Sequence, residues 1–286
     1  MRKIGIIGAT GMLGIPVTQV FMEAGFEVTV FVRDIEKAKR LFGDRVQYIR
    51  GDLQDMAALR HFLTGLEYLY LNLSVAQGSA EDDFQPEREG LDNILAAAKA
   101  SSLKRIGYLS SLVHLYQGQN GFHWWAFEMK NTAVNKIRSA GIPYSIFYPS
   151  TFMESFDKGA YRQGNFIALA GKSRFKMFLI AAEDYGRQVI RAFELNPGNQ
   201  EFVIQGQEGF TADEAARFYK KYSRKTNLRV VKAPLFFLKL AGKFSNKFSY
   251  GAKIIEALNN YPEKFEAGET WELLGKPQTR FIDYIH

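Results

Sequence analysis

Gly8, Gly11 and Gly14 stand three residues apart, with Ala9, Thr10, Met12 and Leu13 in the intervals, directly after the apolar run Ile4-Gly5-Ile6-Ile7. Small residues at this spacing let backbone N–H groups approach a pyrophosphate while the positive end of a following helix points at it. Glycines alone are weak evidence, because they serve any tight turn. Here a strand precedes them, an amphipathic helix with Val17, Val20 and Phe21 follows, and a second strand, Glu27–Val32, completes one βαβ unit. The reading is a dinucleotide-binding turn, with Gly11 expected to meet the phosphates and to carry any positive φ the turn demands.

Arg33 ends the second strand on the face opposite Val28, Val30 and Val32. A dinucleotide site reads the adenosine ribose at this position: an acid binds a 2′-hydroxyl, an arginine accommodates a 2′-phosphate. With Lys37 one turn on, NADP(H) is favoured over NAD(H); the alternative is that Arg33 is a solvated strand end. Asp34 is assigned to capping the next helix. Asp52, after the third strand, either bonds the adenine amino group or satisfies its own turn, with Leu53 covering the ring. Asn72 and Leu73 close the fourth strand, which sets them beside the pyrophosphate and ribose.

Ser110 and Ser111 end the fifth strand, where a hydroxyl either bonds a substrate carbonyl or caps the next segment. His114 and His123 flank the same loop and could supply a proton, but read more readily as surface loop residues. Lys130, flanked by Trp124, Trp125, Phe127 and Met129, reads as a cation in a partly enclosed site rather than a solvated helix lysine. There are four histidines and no cysteines, so disulfides and thiol chemistry are excluded and a metal site is not expected. No Gly-x-Ser-x-Gly occurs, which argues against a hydrolase built on a nucleophile elbow.

These residues need a scaffold that brings strand ends together. Strands are expected at Lys3–Ile7, Glu27–Val32, Val46–Ile49, Tyr68–Leu73, Arg105–Leu109 and Tyr144–Tyr148. Helices are expected near 13–24, 35–42, 55–64, 84–101 and 125–140, two of them capped by Asp34 and Asp55. Such alternation implies parallel pairing with right-handed crossovers: an α/β protein with a Rossmann-type doubly wound parallel sheet. After Pro149 the rhythm breaks. Phe202–Ile204 reads as a strand, Thr211–Tyr222 as a helix capped by Thr211, Leu228–Val231 as a strand, and the chain from Pro234 as helical. Residues 1–150 form the expected nucleotide-binding lobe and 151–286 a smaller substrate-side lobe, from which segments can return to the sheet.

The 286 residues, 47% hydrophobic and 23% charged, suit a globular protein of this size. No leader peptide or membrane span is read, because glycines interrupt the first apolar run and no apolar stretch reaches spanning length; the expected location is cytoplasmic. The net charge of +7 is uneven: residues 1–150 carry 16 basic and 15 acidic groups, residues 151–286 carry 21 and 15. No acid occurs between Glu214 and Glu256. Within that stretch Lys239, Lys243 and Lys247 line one helical stripe, and Phe237, Ala241, Phe244 and Phe248 another. The expected use of the apolar stripe is packing on the domain, ahead of a lid over the substrate or contact with a membrane. No nucleic-acid-binding signature accompanies it.

Taken together, Gly8 to Gly14, Phe31-Val32-Arg33-Asp34, Gly51-Asp52-Leu53, Ser110-Ser111, Lys130 and the run Gly141 to Glu154 resemble the NmrA-like group of atypical short-chain dehydrogenases/reductases. That group also takes in isoflavone-reductase-like enzymes and NAD(P)H-dependent quinone reductases. The resemblance implies catalytic roles for Lys130, Ser110 and Ser111, with Lys130 also anchoring the ribose. It implies cofactor contacts from Tyr148, Pro149 and Phe152, and a substrate pocket of Trp124, Trp125 and Phe127. One departure stands out: the wider superfamily places a tyrosine four residues before the lysine, and here that residue is Ala126. Two readings follow. One is an oxidoreductase passing hydride from NADPH to a small carbonyl, quinone or conjugated acceptor; the other is a non-catalytic NADP(H) sensor acting through a protein partner.

Overall fold

The computed structural model describes residues 2–195 and 198–286. Its first half alternates strand and helix: β1 (Lys3–Ile7), α1 (Gly14–Glu23), β2 (Glu27–Val32), α2 (Ile35–Phe42), β3 (Gln47–Arg50), α3 (Met56–Leu63), β4 (Tyr68–Leu71), α4 (Leu91–Ala98), β5 (Arg105–Leu109), α5 (Trp125–Arg138) and β6 (Tyr144–Pro149). The expected elements are all present, with ends displaced by one or two residues. The helix expected over 84–101 is instead a π-helical turn, Pro86–Gly90, that runs into α4.

The second half contains α6 (Glu154–Asp157), β7 (Arg162–Gln163), β8 (Phe166–Ala170), β9 (Met177–Phe178), α7 (Ala182–Glu194), β10 (Gln200–Ile204), β11 (Gly209–Phe210), α8 (Ala212–Tyr222), β12 (Arg229–Ala233), α9 (Leu235–Gly242), α10 (Asn246–Asn260), α11 (Gly268–Leu274) and α12 (Phe281–Ile285). The sequence reading had not assigned α7 or the strands β7 to β9 and β11. Among the described residues, no helix is long and apolar enough to cross a membrane.

Seven parallel strands make the central sheet in the order β10-β6-β5-β4-β1-β2-β3. Such a sheet is covered on both faces, which explains strands that are apolar almost throughout rather than alternating. On one face Val17, Val20 and Phe21 of α1 pack with Tyr185, Val189 and Phe193 of α7. On the other, Leu59 and Phe62 of α3, Ile94 of α4 and Val134 and Ile137 of α5 bury a second cluster. The order reverses between β1 and β4, and ligands of doubly wound sheets bind outside the carboxyl ends of the strands at that point. This is a Rossmann-type α/β fold.

A three-stranded sheet, β12-β8-β7, packs with α8 and α12 around Phe156, Tyr219 and Phe281. The caps fall where the sequence put them: Asp34 accepts from Lys37 N at 2.9 Å, Asp55 from Ala58 N at 3.0 Å, and Thr211 forms a capping box with Glu214.

Candidate functional site

The three glycines do different things. Gly8 holds φ at +87°, and a Cβ there would lie 2.2 Å from the Asn72 carbonyl oxygen, so this residue closes β1 onto the end of β4. At Gly14 a Cβ would meet the Gly8 carbonyl oxygen at 2.0 Å, which makes Gly14 the packing glycine. Gly11 is not in the left-handed region, which corrects the sequence expectation, and a Cβ there would have only the Gly8 carbonyl oxygen nearby, at 3.3 Å. Gly11 therefore faces open space.

That space is part of a cavity of about 900 Å³ over the carboxyl ends of β1, β2, β4, β5 and β6. Gly8, Ala9, Thr10, Gly11, Met12, Leu13, Arg33, Lys37, Asp52, Leu53, Asn72 and Leu73 line its first half. Ser110, Ser111, Trp124, Phe127, Lys130, Pro149 and Phe152 line its second half. Residues expected together from separate stretches of chain thus share one wall.

A dinucleotide fits this chemistry. α1 has no side-chain cap and no acid in its first turn; Ile15 N and Val17 N bond the Gly11 and Leu13 carbonyls and Pro16 has no N–H, which leaves the Met12, Leu13 and Gly14 amides to meet an anion. Arg33 and Lys37 are exposed at the cavity edge and, among the described residues, have no carboxylate partner. Asp52 bonds its own turn, accepting from Gln54 N at 3.1 Å, and still borders the cavity. Ser111 Oγ is buried without a partner among the described residues, a hydroxyl left for a ligand.

Lys130 lies at the opposite end. Its Nζ donates to Glu87 Oε1 at 2.6 Å, and Tyr108 Oη donates to the same oxygen at 2.6 Å. Glu87 is 1% exposed and the lysine side chain 16%. The π-helical turn 86–90 delivers the carboxylate, and the Tyr108 ring lies beneath the ammonium, 5.8 Å from Nζ to centroid. Sequence reasoning missed Glu87, which sits 43 positions from Lys130. It also missed Glu263, which borders the cavity and accepts from Ser150 Oγ, Phe178 N and Gln205 Nε2. Burial raises the Glu263 carboxyl above its usual range despite those donors.

The position four residues before Lys130 is held by Ala126, which is buried and borders the cavity. Tyr108 is spent on Glu87 and lies behind the wall. Tyr250 and Tyr261 border the cavity, but burial pushes both up to about 12, and burial pushes Tyr161 up as well.

Three expected site residues lie elsewhere. The Tyr148 hydroxyl donates to Glu201 Oε2 at 2.8 Å, on the β10 side, and the residue does not border the cavity. Trp125, the first residue of α5, packs beside Trp124 and Phe127 without bordering the cavity. Gly14 stands behind the turn. The histidine reading is also corrected: His114 is 2% exposed, its ring stacked on Tyr148 at 5.8 Å and its Nδ1 bonded to the Ser111 carbonyl. His123 is exposed.

Burial lowers His114 to about 4 from 6.5, and the charges of Lys130 and Arg138 add to this. A neutral imidazole outside the cavity is no proton donor to a ligand there. Between pH 6.5 and about 4 the unfolded chain takes up a proton that the folded chain refuses, so stability falls as pH drops through that window. His114→Gln is expected to remove up to about 3 kcal/mol of that slope. Chemical denaturation of both proteins at pH 7, 5.5 and 4 checks it. Burial also raises Glu154 and Glu263, which act in the opposite sense but equally in both proteins. Equal slopes would mean that burial does not hold down the proton affinity of His114.

The NmrA-like family profile matches residues 1–279. Photosystem II assembly factor Ycf39 of Trieres chinensis is 26% identical, over 98% of this chain and 90% of its own length. Quinone oxidoreductase 2 of Escherichia coli is 27% identical, over 78% of this chain and 75% of its own. Among solved structures, an NADPH-dependent quinone oxidoreductase from Escherichia coli complexed with NADPH superposes with a TM-score of 0.71 at 22% identity, covering 99% of this chain and 98% of that one, which supports the fold. With the profile matched over nearly the whole chain, this protein belongs to the NmrA-like family.

Proposed function

We propose that the protein is a cytoplasmic NADPH-dependent oxidoreductase acting on a small quinone, carbonyl or conjugated acceptor. The observation that carries this reading is one cavity joining a glycine turn at one end to Lys130 at the other. Trp124, Phe127, Tyr250 and Ile254 form apolar walls around the lysine. Such a wall admits a flat, weakly polar acceptor and excludes water from it. The quinone oxidoreductase relative supports the same class of acceptor.

The glycine turn, through the Met12, Leu13 and Gly14 amides, would hold the pyrophosphate, Arg33 and Lys37 the 2′-phosphate, and Lys130 the nicotinamide ribose. Bound there, the cofactor supplies the hydride. Lys130, fixed by Glu87, donates a hydrogen bond to ribose or acceptor oxygen, and Ser111 Oγ is the free hydroxyl that orients the acceptor. With Ala126 in the tyrosine position, Lys130 assists delivery of the product's proton.

Each charge-assisted bond to a 2′-phosphate contributes roughly 1.5–3 kcal/mol, so NADPH should bind about tenfold or more tightly than NADH. Arg33→Glu is expected to erase that preference. Calorimetric titration with both cofactors, with NADPH oxidation followed against a quinone panel, tests the proposal. Equal affinities in the wild type would overturn the role of Arg33.

The second reading is a regulator whose nucleotide-bound shape is read by a protein partner. Ala126 in the tyrosine position favours it, as does the assembly-factor relative spanning nearly the whole chain. NADPH binding with no turnover of any acceptor would select it.

A further inference from the structure

The helical hairpin α9–α10 corrects one expectation and points to a function of its own. The apolar stripe was expected to pack on the domain, yet α9 buries no residue at all. Phe236 is 68% exposed, Phe237 60%, Leu240 43%, Phe244 86% and Phe248 50%. Phe236, Phe237 and Leu240 share one side of α9, with Phe244 continuing it past the helix end. Patches like this on a globular surface mark contact with another apolar phase.

Charge identifies that phase. α9 and the first ten residues of α10 lie in the acid-free stretch 215–255, and Lys239, Lys243 and Lys247 fall between the phenylalanines along the chain. Lys239 pairs with Glu256 at 2.7 Å, whereas Lys243 and Lys247 have no carboxylate partner among the described residues. Aromatic side chains able to sink below the headgroups, bordered by lysines that reach up to phosphate, make an interfacial amphipathic element. A protein partner would need an acidic rim around an apolar groove; an anionic bilayer offers both at any orientation. We propose that the α9–α10 hairpin seats this protein on the surface of anionic membranes, with Phe236, Phe237 and Phe244 inserted at the headgroup boundary and Lys243 and Lys247 on lipid phosphates.

The same hairpin walls the cavity: Tyr250, Ile254 and Leu258 of α10 border it, and Ala257 is wholly buried beneath. A membrane-seated hairpin would therefore bring the cavity close to apolar molecules dissolved in the bilayer. Membrane seating itself does not depend on turnover, so it stands or falls apart from the oxidoreductase reading.

Flotation of the full chain with vesicles tests it. Vesicles of phosphatidylglycerol and phosphatidylcholine in equal parts should carry the protein upward in low salt, and pure phosphatidylcholine vesicles should carry far less. Removing Lys243 and Lys247 as alanines should weaken partitioning by about fivefold per lysine. Replacing Phe236, Phe237 and Phe244 with serine should weaken it by about a hundredfold or more, because three large apolar side chains no longer leave water. These side chains are exposed, so unchanged melting temperature and NADPH affinity would show the variants folded. No flotation with anionic vesicles, or equal flotation of the triple-serine variant, overturns the proposal. So does a concentration-dependent dimer that Phe244→Ser disperses without any vesicle binding, which would assign the face to a second copy.

Discussion

Gly11→Val is expected to abolish NADPH binding while leaving the fold in place. The three glycines allow this separation because only one of them faces open space. At Gly8 a side chain would meet the Asn72 carbonyl in a left-handed backbone, and at Gly14 it would meet the Gly8 carbonyl, so both substitutions should unfold the turn. At Gly11 the only neighbour is 3.3 Å away, and the backbone needs no positive φ. The isopropyl group would then occupy the volume that phosphate needs beside the Met12, Leu13 and Gly14 amides. Losing two charge-assisted bonds of about 1.5–3 kcal/mol each corresponds to a hundredfold or greater fall in affinity. Calorimetric titration beside a thermal melt reads both halves of the expectation. Retained affinity would show the phosphates lying elsewhere, and a collapsed melt would show that Gly11 is structural.

Lys130→Ala is expected to lower kcat by about 100-fold, the scale of lost proton assistance and positioning together. NADPH affinity should change far less, since the proposed phosphate contacts are made at the glycine turn and at Arg33 and Lys37. The structure adds a complication: removing the lysine strands Glu87, whose burial is near complete. Breaking a buried pair this way costs about 3–5 kcal/mol of stability. The double substitution Lys130→Met with Glu87→Gln removes both charges, keeps an acceptor for Tyr108 Oη, and should recover most of that stability without recovering kcat. If turnover survives either change, Lys130 has no part in the chemistry. Burial raises the cavity tyrosines, so the pH profile should also lack a tyrosine-like alkaline limb below pH 10.

What the sequence disclosed depended on distance along the chain. Asp34, Asp55 and Thr211 act within one helical turn, and the glycine turn within seven residues, so their local chemistry was visible. Glu87 was hidden because it becomes a partner of Lys130 only through the β4–β5 crossover, inside an acidic stretch that reads as a solvated helix start. Tyr148 was misplaced because its partner Glu201 comes from β10, and nothing in the strand β6 announces that pairing. Helix α7 was masked by Gly186, a residue unfavourable in helices. In the structure Gly186 faces α1, where a Cβ would make ordinary contact with Val17 and Val20 at 3.4 Å. The phenylalanines of α9 were expected inside because apolar periodicity reports a face without reporting what covers it.

The pairing of β10 with β6 also governs how the protein comes into being. A ribosome that has released β6 has made every glycine and every cation of the nucleotide site, yet the sheet still ends in a bare strand. That strand's unpaired amides and carbonyls, together with the apolar surface of β5 and β6 that α7 later covers, stay open until about fifty more residues have followed. The nascent chain is therefore at its most adhesive just when its binding motif is complete. A gene cut after residue 150 would leave the chain in that condition, with β6 lacking its β10 partner.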